Sequence, residues 1–250
     1  MNTLKSGLSM LLACGLLLPA LGLADRPADF ETRLELYRNG KLAGETMFKL
    51  DTVNGRWTMA SQTKSTKGLT SWIGLRESST GEGDWHDGKP RPLRYDRNVK
   101  ALVTMKWSAD FDWESNVVRT VYPDGESQLE LTPGVVDETA LALTIRQGLK
   151  NGEREWRLRQ VDEDEIEDAH FRVSAVKAVQ TPLGCLQTHV VEKVRGAGSK
   201  RYTRTYYADD HDFVPVLVEH GKQGDEHVEG RVIALTVNGK PVDAGPDCAQ

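Results

Sequence analysis

The chain has 250 residues, of which 38% are hydrophobic and 28% charged, with 37 Asp and Glu residues against 32 Lys and Arg residues. A formal net charge of −5 argues against nucleic acid and against anionic membrane surfaces as partners, because both select basic patches.

The first element in chain order is an export signal. Lys5 precedes a run from Leu8 to Leu18 that is apolar apart from Ser9 and Gly15, shorter than the about 20 residues a membrane span needs. The run stops at Pro19, and Gly22-Leu23-Ala24 places small residues three and one positions before Asp25, as signal peptidase requires. Cleavage is expected after Ala24, giving a 1–24 signal peptide and a single periplasmic β domain over 25–250. Cys14, in Leu11-Leu12-Ala13-Cys14, invites a lipidation reading, but Leu16, Leu17 and Leu18 carry the run past the point where a lipobox cysteine would end it. Beyond Asp25 charges recur every few residues, so the mature chain is expected to have no transmembrane span.

Strands follow. Phe30, Thr32, Leu34 and Leu36 alternate with Glu31, Arg33 and Glu35, the period-two pattern of a half-buried strand. The same pattern predicts strands over Thr46–Leu50, Trp57–Thr63, Ala101–Trp107, Asn116–Tyr122, Ser127–Leu131 and Glu153–Val161. It continues over Phe171–Val179, Leu186–Val194, Lys200–Tyr207, Val214–His220 and His227–Val237. Asn39-Gly40, Asn54-Gly55, Asp87-Gly88, Asp124-Gly125, Asn151-Gly152 and Asn238-Gly239 punctuate them, offering the positive φ angles of two-residue hairpins. A shorter turn is expected over Gly68–Leu75. One segment has helical spacing instead: Leu141, Ile145 and Leu149 share a face over about 137–149, with Asp137 as cap and Gly152 just past the end. One short helix cannot cover both faces of a parallel sheet. The fold class is therefore mainly β: a single domain of antiparallel, strongly curved or rolled sheet with one short α-helix.

Cleavage would remove Cys14 and leave Cys185 and Cys248 in an oxidising compartment, where they are expected to form a disulfide. That bond would tie the tail from Asp243 to the turn Thr181-Pro-Leu-Gly-Cys185.

The order of several motifs resembles an exported bacterial family, domain of unknown function 3108. They are Leu42-Ala43-Gly44-Glu45, Lys67-Gly68-Leu69, Pro92-Leu-Arg-Tyr95, the capped helix from Asp137 and Pro182-Leu-Gly184. Arg204-Thr-Tyr-Tyr-Ala-Asp-Asp210 and Phe213-Val-Pro-Val-Leu-Val-Glu219 complete the series. The resemblance implies a curved antiparallel sheet and a periplasmic address, and it assigns no activity and no catalytic residue.

Candidate sites are sparse. Asp209-Asp210-His211-Asp212 is the densest titratable cluster, from which Asp210 and His211 are the metal candidates, although consecutive residues cannot all face one ion. A two-residue turn at Gln223-Gly224 would set His220 and His227 opposite each other, half of a zinc or copper site. For both groups a polar strand connection is the simpler reading. The acidic stretch Asp162–Asp168 lacks the central glycine of a calcium loop and reads as a solvated turn. Among six tryptophans, Trp57, Trp72, Trp85, Trp107, Trp113 and Trp156, the pair Trp107 and Trp113 flanks an acid-bearing segment and is the candidate ligand platform.

Neither Gly-x-Ser-x-Gly, His-Glu-x-x-His, a phosphate loop nor Gly-x-Gly-x-x-Gly occurs, so no cofactor is expected and the balance tilts away from an enzyme. The favoured reading is a non-enzymatic envelope module that binds a lipid, a glycan or a protein segment. An envelope hydrolase or metal-dependent enzyme and a structural scaffold are the alternatives.

Overall fold

A computed structural model describes residues 26–65 and 75–249. The signal segment, Trp72 and all of the Gly68–Leu75 turn except Leu75 lie outside the described residues.

The N-terminal half is a run of hairpins: β1 (Phe30–Arg38), β2 (Lys41–Val53), β3 (Arg56–Ser65), β4 (Arg76–His86), β5 (Lys89–Lys100), β6 (Thr104–Asp112), β7 (Val117–Tyr122) and β8 (Gly125–Glu130). In β1 the expected face is the inner one: Phe30, Thr32, Leu34 and Leu36 are all buried. At Asn39-Gly40, Asn54-Gly55, Asp87-Gly88 and Asn238-Gly239 both residues have positive φ, as two-residue hairpins require. Asn151-Gly152 does another job, ending the helix, and in Asp124-Gly125 the glycine already belongs to β8.

Alternation missed β4 and β5 altogether. The segment Arg76-Glu-Ser-Ser-Thr-Gly-Glu-Gly-Asp84 shows no apolar face because its inner side has no room for one. A side chain at Gly81 would collide with Thr139, and one at Gly83 with the Trp57 ring, which is wholly buried and donates from Nε1 to the Asp84 carbonyl at 2.8 Å. The strand expected from Ala101 begins only at Thr104, because residues 101–103 turn the chain from β5 into β6 and leave Leu102 exposed.

The second half comprises β9 (Val135–Val136), α1 (Glu138–Lys150), β10 (Glu155–Asp162), β11 (Glu165–Thr181), β12 (Gly184–Lys193), β13 (Arg201–Ala208), β14 (Val214–Lys222), β15 (His227–Val237) and β16 (Lys240–Pro241). The sixteen strands among the described residues join one sheet, in the order β8 through β1, then β15 back to β9, with β16 on β15. Two meanders therefore meet where β1 pairs antiparallel with β15. The short β9–β10 pair is parallel, and the other strand pairings among the described residues are antiparallel. The sheet curls without closing. Its two ends approach through an apolar cluster in which Phe111 and Val118 of the first meander and Leu131, just past β8, meet Val135, with Val161 and Ile166 packed against them. Trp107 Nε1 adds a bridge, donating to Glu163 at 2.9 Å.

Helix α1 lies inside the curl. Asp137 caps it through Oδ1, which accepts from Thr139 N at 2.6 Å and Ala140 N at 2.9 Å. Leu141, Ile145 and Leu149 are buried as expected, but Arg146 and Gln147 are buried too, because the sheet covers more than one side of the helix. Arg146, 2% exposed, donates from Nε to the Asp212 carbonyl at 2.8 Å and from Nη2 to its carboxylate at 2.7 Å. Its guanidinium lies 4.6 Å from the Phe30 ring centroid, and Lys150 and the amide of Ala28 also engage the Asp212 carboxylate. Asp212 and Phe213 hold φ of 53° and 54°, a left-handed conformation costly for non-glycine residues. The clasp holds that turn in place.

Cys185 and Cys248 are disulfide-bonded. The tail is fastened further by Cys185 N donating to the Pro246 carbonyl and Cys248 N donating to Gln180 Oε1. Replacing both cysteines by serine is expected to lower stability by about 4 kcal/mol in the chain-entropy model, measured by urea unfolding; a loss under about 1 kcal/mol would show that the hydrogen bonds alone suffice. Asp212→Ala, which removes the carboxylate partner of the buried Arg146, should cost about 3 kcal/mol, and Arg146→Leu combined with it should recover part of that loss. Strict additivity of the two substitutions would refute the clasp.

Candidate functional site

The curl leaves a trough between α1 and the inner face of the sheet. Its apolar end is a cavity of about 280 Å³ walled by Phe30 and Phe48 from the first meander, Leu141 and Ala142 from α1, and Phe171 and Val191 from the second. Arg146 and Tyr207 contribute to the wall; burial pulls the Arg146 guanidinium down to about 10, against the pull of Asp212, and its Nη1 has no hydrogen-bond partner.

The polar end, about 220 Å³, adjoins it across Glu138, Gln160 and Lys193, which line both spaces. From Glu138 to Arg146 the helix rises about 12 Å, at about 1.5 Å per residue, so the two spaces lie along α1 rather than stacked on one spot. Asp137, Glu138, Asp162, Glu163 and Glu167 supply carboxyls to the polar end, while Arg97 and Lys193 supply the cations. Arg97 is committed to Glu77 at 2.7 Å and covers the Trp107 ring at 5.0 Å, and Lys193 pairs with Glu167 at 3.4 Å. Glu138 accepts from the Tyr95 hydroxyl at 2.8 Å, and Glu163 from Trp107. Burial lifts the Asp137 carboxyl to about 6 although three hydrogen bonds to Oδ1 favour its ionised form, and its Oδ2 has no partner. Burial, then Glu167 and Glu163, raise Asp162 as well.

The residues singled out in the sequence scatter. Trp107 lies in the trough; Trp113, in the turn after β6, sits by a separate surface depression with His86 and Pro133, donating to the Pro92 carbonyl at 2.7 Å. The histidine pairing is corrected by the register: His220 stands opposite Val228 and His227 opposite Gly221, so the two imidazoles point to opposite faces. The cause is a loop of three residues rather than two, closed by Lys222 N donating to the Glu226 carbonyl. His227 instead meets the Tyr202 hydroxyl through Nδ1.

Asp210 and His211 lie in a 3₁₀ turn before β14, whereas His220 lies six residues into that strand from Val214, roughly 20 Å further along. Among the described residues no group of three or more His, Cys, Asp or Glu side chains is placed to hold a metal ion. Asp209 approaches His189 at 3.0 Å and Asp212 belongs to the helix clasp. In the acidic turn at 162–168, Asp162, Glu163, Asp164, Glu165 and Asp168 are exposed, as a solvated turn should be, while Asp162, Glu163 and Glu167 also line the polar end of the trough. Asp137 was legible only as a helix cap, and nothing in the sequence marked Tyr95, Arg97 or Lys193 as its neighbours in the trough, or Arg146 as part of the apolar end's wall.

Among the described residues no helix is long and apolar enough to cross a membrane. No curated protein matches the chain. Among solved structures, a beta-barrel-like protein of domain of unknown function DUF1849 from Brucella abortus is similar over 85% of this chain and 98% of its own, with 10% identity and a TM-score of 0.55. That likeness concerns the fold alone. A predicted lipoprotein from Parabacteroides distasonis ATCC 8503 aligns over 84% of this chain and 95% of its own, with 9% identity and a TM-score of 0.36, too weak to bear on detail. The model of one family, described as a protein of unknown function (DUF3108), matches residues 33–222, and the chain belongs to that family.

Proposed function

We propose that this chain is a non-enzymatic periplasmic module that holds a single-chain lipid in the trough beside α1, after export and cleavage behind Ala24. The observation that carries the reading is the apolar cavity of about 280 Å³ between Phe30, Phe48, Leu141, Ala142, Phe171 and Val191. Ligand cavities run from about 300 to 1,000 Å³, so this one suits one acyl chain rather than two. A void lined by such side chains forfeits the contacts a filled core would have, and an acyl chain restores them. The Cys185–Cys248 bond suits the oxidising compartment to which the N-terminal segment addresses the chain. A glycan fits less well, since it needs hydrogen-bonding groups along its length and the cavity wall is mainly apolar.

Ala142→Trp should fill the cavity. Monododecanoylglycerol, a neutral probe, is expected to bind the unmodified protein at micromolar concentration in a calorimetric titration. It should bind the tryptophan variant at least tenfold more weakly, with the circular dichroism of the two proteins unchanged. Equal binding by both, or binding by neither, would overturn the lipid reading.

A further inference from the structure

We propose that the polar end of the trough is a cation subsite that takes the primary ammonium head of a single-chain amphiphile whose tail occupies the apolar end. This rests on the lipid reading and adds the chemistry of the head group.

The first observation is an imbalance of charge at the polar end, where Asp137 is buried while Glu138, Asp162 and Glu163 reach solvent. Of the carboxyls there, only Glu167 has an ion-pair partner in the trough, Lys193, and Arg97 is spent on Glu77. Asp137, Glu138, Asp162 and Glu163 form no ion pair among the described residues. Glu138 and Glu163 are held by neutral donors, the Tyr95 hydroxyl and the Trp107 indole. An anionic head would meet this field at close range, with the repulsion strongest beside the buried Asp137.

The second observation is independent of the first. Asp137 is 1% exposed, lines the polar end, and keeps one carboxylate oxygen satisfied three times over while Oδ2 has no partner. A buried oxygen without a donor is costly, so the site has a standing demand for one. Lys193 is held away by Glu167. A primary ammonium brings three N–H donors and a positive charge, enough to serve Asp137 Oδ2 together with a neighbouring carboxylate. A quaternary ammonium brings the charge without donors, and a phosphate or carboxylate head brings neither.

The layout along α1 agrees with this order. The carboxyls gather at the first turn of the helix, and the apolar wall begins a turn later at Leu141. A head held at Glu138 would send its chain along the helix towards Arg146, which pairs with Asp212 and Phe30 and keeps one N–H group, on Nη1, without a partner.

Dodecylammonium, dodecanoate and monododecanoylglycerol share a chain of twelve carbons, so titrating each into the full mature chain below its micelle-forming concentration isolates the head. Physiological ionic strength screens attraction to the acidic surface. Dodecylammonium should bind at least tenfold more tightly than dodecanoate. Asp137→Asn, which preserves the helix cap, should cut that ratio to under threefold. Asp87→Asn, at an exposed hairpin turn, should leave it unchanged. If dodecanoate binds as tightly as dodecylammonium while the neutral lipid binds, the cation subsite is wrong and the lipid reading stands. An unchanged ratio in Asp137→Asn also overturns the subsite, and failure of all three probes overturns both.

Discussion

The architecture depends on holding a helix inside a sheet. Helix α1 is short, and an isolated helix of that length is marginal in water, so its persistence rests on packing and on its two ends. Asp137 secures the start, while Arg146 and Lys150 near the end reach across to Asp212, on the connection between β13 and β14. A buried guanidinium is expensive to desolvate, and the cost is offset in part by two hydrogen bonds, an opposite charge and the face of Phe30. Phe30 stands at the start of β1 and Asp212 between the strands that follow β12, so one side chain ties the helix to both meanders.

The curl of the sheet and the trough are consequences of one another. A right-twisted sheet of this many strands cannot stay flat, and rolling brings the edges together. Closure would leave no room for α1 where β4 passes it, and there Gly81 already gives up its side chain to Thr139. The edges instead meet through Phe111, Val118, Val135 and the indole of Trp107, without a ladder between β8 and β9. The trough is the space that remains when the curl wraps a helix too short to fill it.

How much of this was legible follows from which interactions are local. Alternation in Phe30–Leu36 reported a face that is indeed buried, and Asn-Gly pairs reported hairpins, since both depend on neighbours in the chain. The helix was legible for the same reason, from Asp137 to Gly152. Where the partner is distant, the signal fails. β4 shows glycine and serine because α1 and Trp57 occupy its inner side, so periodicity vanishes where packing is tightest. His220 and His227 were placed opposite one another on a loop of two residues, and one more residue turned one of them to the other face. The stripe of Leu141, Ile145 and Leu149 implies one covered face of the helix, and Arg146 does not lie on that stripe. Enclosure by a curled sheet buries it all the same.

The same enclosure explains why the candidate site was invisible as a motif. Its carboxyls come from the first turn of α1 and from the β10–β11 hairpin, its cations from β5 and β12, and its apolar wall from both meanders. No two of these segments need be near in sequence, and each reads alone as a cap, a polar turn or an ordinary strand. What sets the site apart is a mismatch between neighbours in space: a carboxylate oxygen with no donor beside an apolar wall with no filling. A fold of marginal stability tolerates such defects where something other than the chain completes them, because unanswered polar atoms and empty volume each cost of order a kilocalorie per mole or more. Two defects of complementary character, set along one helix, are what the proposed amphiphile would complete.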